Sequence, residues 1–438
     1  MIQRWVTGIE RLAAVATRFP HSAYAGLVSC LCAEWQYICR TVPDVGPCLA
    51  PVEQALRTKF LPAITGFTRP IDDELRTLLG NGVKTGGLAI RDPTISAASL
   101  YSTSIDATSM LAGTLIRNEP INIDAHRNCV RAAGATHRKT KRDGEVAFHA
   151  ALMERSPPKV KKRMERAAVA GAWLSTIPNR FSGTELTRDE WFDNVAIRYG
   201  NRPANLPDHC DGCGAGLTLE HGLSCKKGGL VGIRHDDARD EWAHLCSIAL
   251  TDSRVVTEPA IFYGNGTRAT ATNAATTATN SSGCTNTPGD EARGDVLAHC
   301  FWSRGRGTVF DIRICDTDSR SYGTTSSAKI LERHAKEKKE KYEAACLERR
   351  RDFTPLVYSV DGMASKDART AERRVAWLLA QKWKRAYSDM ANFVRTRMSL
   401  AVVRSNTLLL RGDHTSPMRR QPPSDGVAAT CHAHLRND

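Results

Sequence analysis

The chain has 438 residues, of which 25% are charged, and 61 Lys and Arg against 47 Asp and Glu give a formal net charge of +14. That length exceeds a single small module and suits roughly two to four domains. The cationic excess favours polyanionic partners such as nucleic acid over acidic proteins or bare lipid.

No run of about 18 apolar residues occurs, and Arg and Glu interrupt the apolar positions of "MIQRWVTGIERLAAVATRFP". Neither a membrane span nor a signal peptide is expected, and the protein reads as soluble and intracellular. Its 14 cysteines sit mostly singly in apolar settings ("LVSCLCAEW", "RICDT", "EAACLE"). That pattern suits reduced core thiols better than a secreted disulfide framework.

Residues 1–128 read as a helical region. Trp5, Val6, Ile9, Leu12 and Ala13 repeat at helical spacing, and "FLPAITG" and "KTGGLAIRDP" punctuate the region with Pro and Gly turns. Residues 129–205 read as a basic helical linker carrying "HRKTKRDGE" and "PPKVKKRMERAAVAGAWLSTIP" with few balancing acids. Two readings stand for these cations. They form a solvated helix face, or Arg138, Lys139, Lys141, Arg142, Lys159, Lys161, Lys162 and Arg163 contact phosphates.

Residues 206–228 contain "CDGCGAGLTLEHGLSC", with Cys210, Cys213, His221 and Cys225 in the pattern C-x2-C-x7-H-x3-C. A tight turn holding Gly212 and Gly214 lets Cys210 and Cys213 face one ion, and His221 and Cys225, four apart, would share a helix face. The alternative is a set of buried free cysteines beside an incidental histidine. Four protein ligands leave no open position for water, so the expected ion is a structural Zn2+. A zinc deaminase would need H-x-E ahead of P-C-x-x-C and an open position; here the cysteine pair precedes the histidine and "DHC" lacks the proline.

Residues 229–412 read as helix ("GIRHDDARDEWAHLCSIAL"), three strands ("SRVVTEPAIFY", "RGDVLAHCFW", "GTVFDIRICD"), and a long basic helix ("SSAKILERHAKEKKEKYEAACLERR"). A strand ("FTPLVYSVDG") and a helix ("DARTAERRVAWLLAQKWK") complete the region. This αβββαβα order is that of the restriction-like nuclease core, so the expected class is α+β, with a helical N-terminal region and a small knuckle ahead of that core. Asp295 opens the second strand; Asp311 lies in the third, with Arg313 on the same face. Phosphodiester hydrolysis needs such a carboxylate pair to hold Mg2+, and a cation beside the developing negative charge. Residues 264–292 read as a flexible insertion, and 413–438 as a disordered tail, because both lack large apolar side chains.

The succession of knuckle, "GIRHDDARDEW", "RGDVLA", "FDIRICDTD", "KEKKEKY" and "FTPLVYSVDG" resembles the C-terminal part of non-LTR retrotransposon polyproteins that carry a restriction-like endonuclease. The resemblance implies a CCHC knuckle and an Arg-His signature, matched by Arg234 and His235, which would contact nucleic acid. It also implies PD-(D/E)xK-like metal carboxylates, matched by Asp295 and Asp311. A lysine and a tyrosine are implied on the following helix, which Lys338, Lys341 and Tyr342 could supply. Residues 1–128, through "KFLPAITG" and "GGLAIRDP", resemble the thumb and post-thumb part of the reverse transcriptase.

The implied cofactors are structural Zn2+ and catalytic Mg2+. The implied partners are DNA, element RNA and the rest of a longer polyprotein, with no membrane, in the nucleus. Two departures bear on function. No Y/F-x-D-D polymerase motif occurs, so this chain is not expected to polymerise by itself, and Arg313 stands where lysine is usual. The expected activity is therefore Mg2+-dependent DNA nicking. The alternative is a zinc-stabilised nucleic-acid-binding platform, a decayed copy that no longer cuts.

Overall fold

The computed structural model describes residues 1–250, 254–261 and 292–415. The chain divides into two compact units, Met1–Ala168 with Ile177–Gly200, and Val169–Thr176 with Asn201–Asp438. The expected insertion at 264–292 lies, but for Ala292, outside the described residues, as does the expected tail beyond Thr415. The architecture is α+β, with one small sheet among many helices. No helix among the described residues is long and apolar enough to cross a membrane.

The first unit is helical throughout its described length: α1 (Ile2–Ala16), α2 (Pro20–Gly26), α3 (Cys32–Thr41), α4 (Ala50–Ala55), α5 (Leu61–Thr65), α6 (Asp73–Gly80), α7 (Pro93–Ile116), α8 (Ile123–Arg155), α9 (Pro158–Ala167) and α10 (Arg188–Tyr199). Trp5 and Ile9 of α1 are buried, in keeping with their helical spacing. In "KFLPAITG", Phe60, Leu61 and Ile64 go to the core, and the Ile64 carbonyl accepts from Trp191 Nε1 at 2.7 Å. In "GGLAIRDP", Leu88 and Ile90 are buried, while Asp92 caps α7 by accepting from Thr94 N at 2.8 Å, with Pro93 in the first turn. The division expected at residue 128 falls inside α8. That helix runs uninterrupted because its sequence contains two glycines but no proline.

The second unit contains α11 (Leu219–Gly222), α12 (Leu230–Ala249), β1 (Val255–Thr257), β2 (Val296–His299), β3 (Gly307–Cys315), α13 (Ser327–Glu348), β4 (Arg351–Ser359), α14 (Lys366–Trp383) and α15 (Tyr387–Arg411). The sheet order is β1-β2-β3-β4, antiparallel at the first two pairings and parallel at the third. The expected αβββαβα order is present from α12 to α14, and α15 extends it. The first strand is shorter than expected, ending at Thr257, because Pro259 has no N–H for the ladder and Glu258 turns to a φ of 52°.

Strand alternation decides what each face meets. Phe310 and Ile312 of β3, with Val296 and Ala298 of β2, join Trp242 of α12 and Val375 of α14 in the largest core of the unit. The opposite face carries α13 on two separate apolar patches. Val309, Leu297, Phe353, Tyr342 and Cys346 form one; Cys315, Val357, Ile330, Leu331 and Ala335 form the other. Asp311 and Arg313 lie on β3 between Val309 and Cys315, in the gap between these patches.

Candidate functional site

The turns that carry the four knuckle residues are closed by local backbone bonds, and His414, past α15, packs on the same segment, its N–H donating to Asp211 Oδ2 at 3.1 Å and its Nδ1 lying 3.3 Å from Lys227 O. Cys210 N donates to Ala215 O and Gly214 N to Cys210 O, both at 2.8 Å, closing a turn in which Gly214 takes the left-handed φ of 72° that glycine adopts without strain. Thr218 caps the short helix α11 by accepting from His221 N at 3.1 Å. Cys225 lies just past that helix, its N–H donating to His221 O at 2.8 Å, so the expected four-residue pairing is made by the turn that ends the helix.

Cys210 Sγ and Cys225 Sγ are 3.8 Å apart, Cys225 Sγ and Cys213 Sγ 4.0 Å, and Cys213 Sγ and His221 Nε2 3.2 Å. Thiolates bound at about 2.3 Å around a tetrahedral zinc lie about 3.7 Å apart, so the quartet could hold one such ion. The Ala215 backbone N–H lowers the pKa of the Cys213 thiol. Burial pushes Cys225 up to about 11, so a bound cation would have to displace its proton.

The carboxylates come together through the sheet. Continuing the β2–β3 register by one residue sets Asp295 opposite Asp311, with Asp295 N donating to Phe310 O at 2.9 Å. The residue before Asp295 must be glycine, since a Cβ on Gly294 would lie 2.4 Å from Val309 Cγ1. Asp295 Oδ2 accepts from Ile312 N and lies 3.1 Å from His235 Nε2. Asp311 Oδ1 accepts from Lys338 Nζ at 2.6 Å.

Burial of Asp295 acts to raise its pKa but is outweighed by the hydrogen bond and charge of His235 and the Ile312 N–H, so the group stays below its ordinary value. Burial, and the charge of Asp295, push Asp311 up to about 6 against the pull of Lys338. Burial opposes charge on His235 too, yet its contacts with Asp236 and Asp295 carry it to about 10. Two facing carboxylates with pKa values driven apart, one paired with His235 and the other with Lys338, form a concentrated hard-oxygen donor set.

The remaining expected site residues divide by place. On α13, Leu331, His334, Ala335, Lys338, Tyr342 and Cys346 follow one helical stripe, and Lys338 is its member opposite Asp311. Lys341 falls off that stripe; its Nζ stands 4.8 Å from the Tyr342 ring centroid. Tyr342 packs on Phe353, and burial and the charge of Asp311 raise its pKa. Arg313 shares the face of Asp311, but its carboxylate partner is Glu337, at 3.3 Å.

Two of the residues expected to contact nucleic acid are buried. Arg234 is buried and donates Nη1 to Leu223 O at 3.0 Å, so it ties α12 to the knuckle, and burial lowers its pKa to about 10. Lys162 is also buried, on α9. Long aliphatic stems allow Lys and Arg to be buried in this way, which a charge count does not register. Arg138, Lys139, Arg142 and Lys159 are exposed, while Lys141, Lys161, Arg163 and His235 are half-buried. The role of His235 at Asp295 was not legible from its spacing. The resemblance had named it for nucleic-acid contact, and its place beside two aspartates in "RHDD" was the signal for a carboxylate partner.

Described cysteines form no disulfide; Cys32, Cys39, Cys246, Cys315 and Cys346 are buried thiols, whereas Cys30 and Cys48 are exposed. No protein-family model matches the chain, and no curated protein matches it.

Proposed function

We propose that the chain is the metal-dependent endonuclease portion of a non-LTR retrotransposon protein, with a restriction-like αβββαβα core that nicks DNA in the nucleus. The observation that carries this reading is the opposition of Asp295 and Asp311 on neighbouring strands, with Lys338 on Asp311. Asp295 and Asp311 would hold Mg2+, which supplies an activated water and polarises a phosphoryl oxygen. Two hard carboxylates suit an ion that keeps several waters.

His235 and the Ile312 N–H orient Asp295 and keep it ionised. Lys338 places a positive charge where negative charge develops on the phosphate, in a gap that α13 and the sheet shield from water. The knuckle would bind structural Zn2+, and Arg234 would hand its order on to α12, one residue before His235. The exposed cations of α8 and α9 would contact phosphates of DNA or element RNA.

The test is Mg2+-dependent nicking of supercoiled plasmid by the wild type, Asp295→Ala and Asp311→Ala proteins. Nicking by the wild type alone supports the reading. Equal nicking by all three would place the activity elsewhere, and none by any would leave the non-catalytic binding platform.

A further inference from the structure

Beside the carboxylates, a chain of polar side chains runs from a loop to β3, and neither metal cluster uses it. Tyr322 lies in the turn Arg320–Tyr322 after β3, with its hydroxyl 2.8 Å from His334 Nε2. His334 Nδ1 is 2.9 Å from Glu337 Oε2, and the same oxygen accepts from Arg313 Nη1 at 3.3 Å. A proton assignment that satisfies every contact has the Tyr322 hydroxyl donating to Nε2, Nδ1–H donating to Glu337, and Glu337 also accepting from Arg313. This assignment requires a neutral imidazole. Burial lowers the His334 pKa, and although Glu337 pulls the other way, the charges of Arg313 and Arg333 reinforce the lowering.

The loop end of the chain is anchored as well. Arg333 lies 5.2 Å from the Tyr322 ring centroid, and Arg320 N donates to Glu220 Oε1 at 2.9 Å, beside the knuckle residue His221. His334 itself is buried, whereas Arg313 at the far end is half-buried. The arrangement thus has a fixed interior and an accessible cation at its tip.

We propose that Tyr322, His334 and Glu337 are positioning residues that present Arg313 to the DNA phosphate next to the one that would meet the Mg2+ of Asp295 and Asp311. The proposal rests on the endonuclease reading. Arg313 follows Asp311 by two residues on one face, about 7 Å along the strand, and Lys338 already occupies Asp311. A neighbouring phosphate therefore matches its reach better than the scissile one. Holding the guanidinium with Glu337 in advance lets a phosphate exchange for a carboxylate without first ordering the side chain.

The experiment compares Tyr322→Phe, Glu337→Gln, Arg313→Ala and the Tyr322→Phe, Arg313→Ala double variant of the full chain. Plasmid nicking in Mg2+ and salt-dependent duplex binding in Ca2+ are measured for each. Tyr322→Phe keeps the ring under Arg333 and removes one hydrogen bond, so KM should rise about fivefold with kcat unchanged. In the Arg313→Ala background the same change should add nothing, whereas general loosening of the fold would still add its effect. In Ca2+ the log–log salt slope of Arg313→Ala should be shallower by about 0.9, the share of one phosphate.

Wild-type KM and salt slope in Tyr322→Phe and Glu337→Gln would overturn the proposal, as would an undiminished Tyr322→Phe effect without Arg313. If the wild type does not nick but the slopes shift as stated, the endonuclease reading fails while the phosphate contact of Arg313 stands.

Discussion

The knuckle draws Cys210, Cys213, His221 and Cys225 from one short segment, whereas the carboxylate cluster takes His235 from α12, Asp295 from the residue before β2, Asp311 from β3 and Lys338 from α13. Turn bonds within the loop bring the sulfurs together. Only the correct sheet register and the docking of α13 bring the oxygens and the ammonium together. The two also differ in what removal of a partner does. A thiol without its ion is a small, weakly polar group, but a buried carboxylate without its cation is an uncompensated charge. The local site should therefore fail quietly, and the distributed one with its surroundings.

The largest expected effect falls on the distributed site. If the chain nicks DNA as proposed, Asp311→Ala should lower the nicking rate by a factor on the order of 10³ or more, since metal-ion catalysis supplies several kcal/mol. Zinc content, read by atomic emission on the same sample, should stay unchanged; a parallel loss of zinc would show that the two clusters are one cooperative site. Lys338→Ala comes next, with kcat lower by roughly 10² to 10³, the usual cost of one charge-stabilising group. Lys341→Ala should leave kcat near wild type, because that lysine lies off the stripe facing Asp311. On the same reading Arg313→Lys, which keeps the charge of that residue, should not rescue Lys338→Ala; rescue would assign the catalytic cation to β3.

The knuckle should respond more mildly. A Cys210→Ser, Cys213→Ser variant should lose about one equivalent of zinc while circular dichroism reports an intact core, because structural zinc organises the segment that binds it. Nicking should fall only in part, through the Arg234 link to Leu223. Complete unfolding of the second unit would show that the knuckle is not a local device.

The smallest effect separates both sites from the sheet's other face. Glu372 on α14 accepts from Tyr358, which packs with Trp242 and Phe310; burial pushes its pKa up to about 7 despite Tyr358 at 3.0 Å and the nearby Arg395, Arg369 and Arg373. Its folded pKa exceeds the ordinary carboxylate value, so its contribution to stability is present at acid pH and is lost as pH rises through about 7. Glu372→Gln should flatten that segment of the melting-temperature profile between about pH 5 and 8. An unchanged profile would mean that another group carries the slope.

The Cys3His quartet was legible because four residues at fixed spacing need only a turn to meet. The strand and helix order was legible because periods of two and of about 3.6 residues announce sheets and helices before any packing is known. The pairing of Asp295 with Asp311 followed from that order, since neighbouring strands bring their ends together. Residue 128 falls inside α8, which continues its helical pattern across a change in charge, and charge does not stop a helix.

Periodicity names the residues that share a face; it does not say which face meets which. Tertiary packing alone selected Lys338 over Lys341, gave Asp295 its histidine, buried Arg234 and Lys162, and joined Tyr322 to Arg313 through His334 and Glu337. Each of these depends on how separate elements pack, with the stem length and protonation of a polar side chain settled by what it finds there.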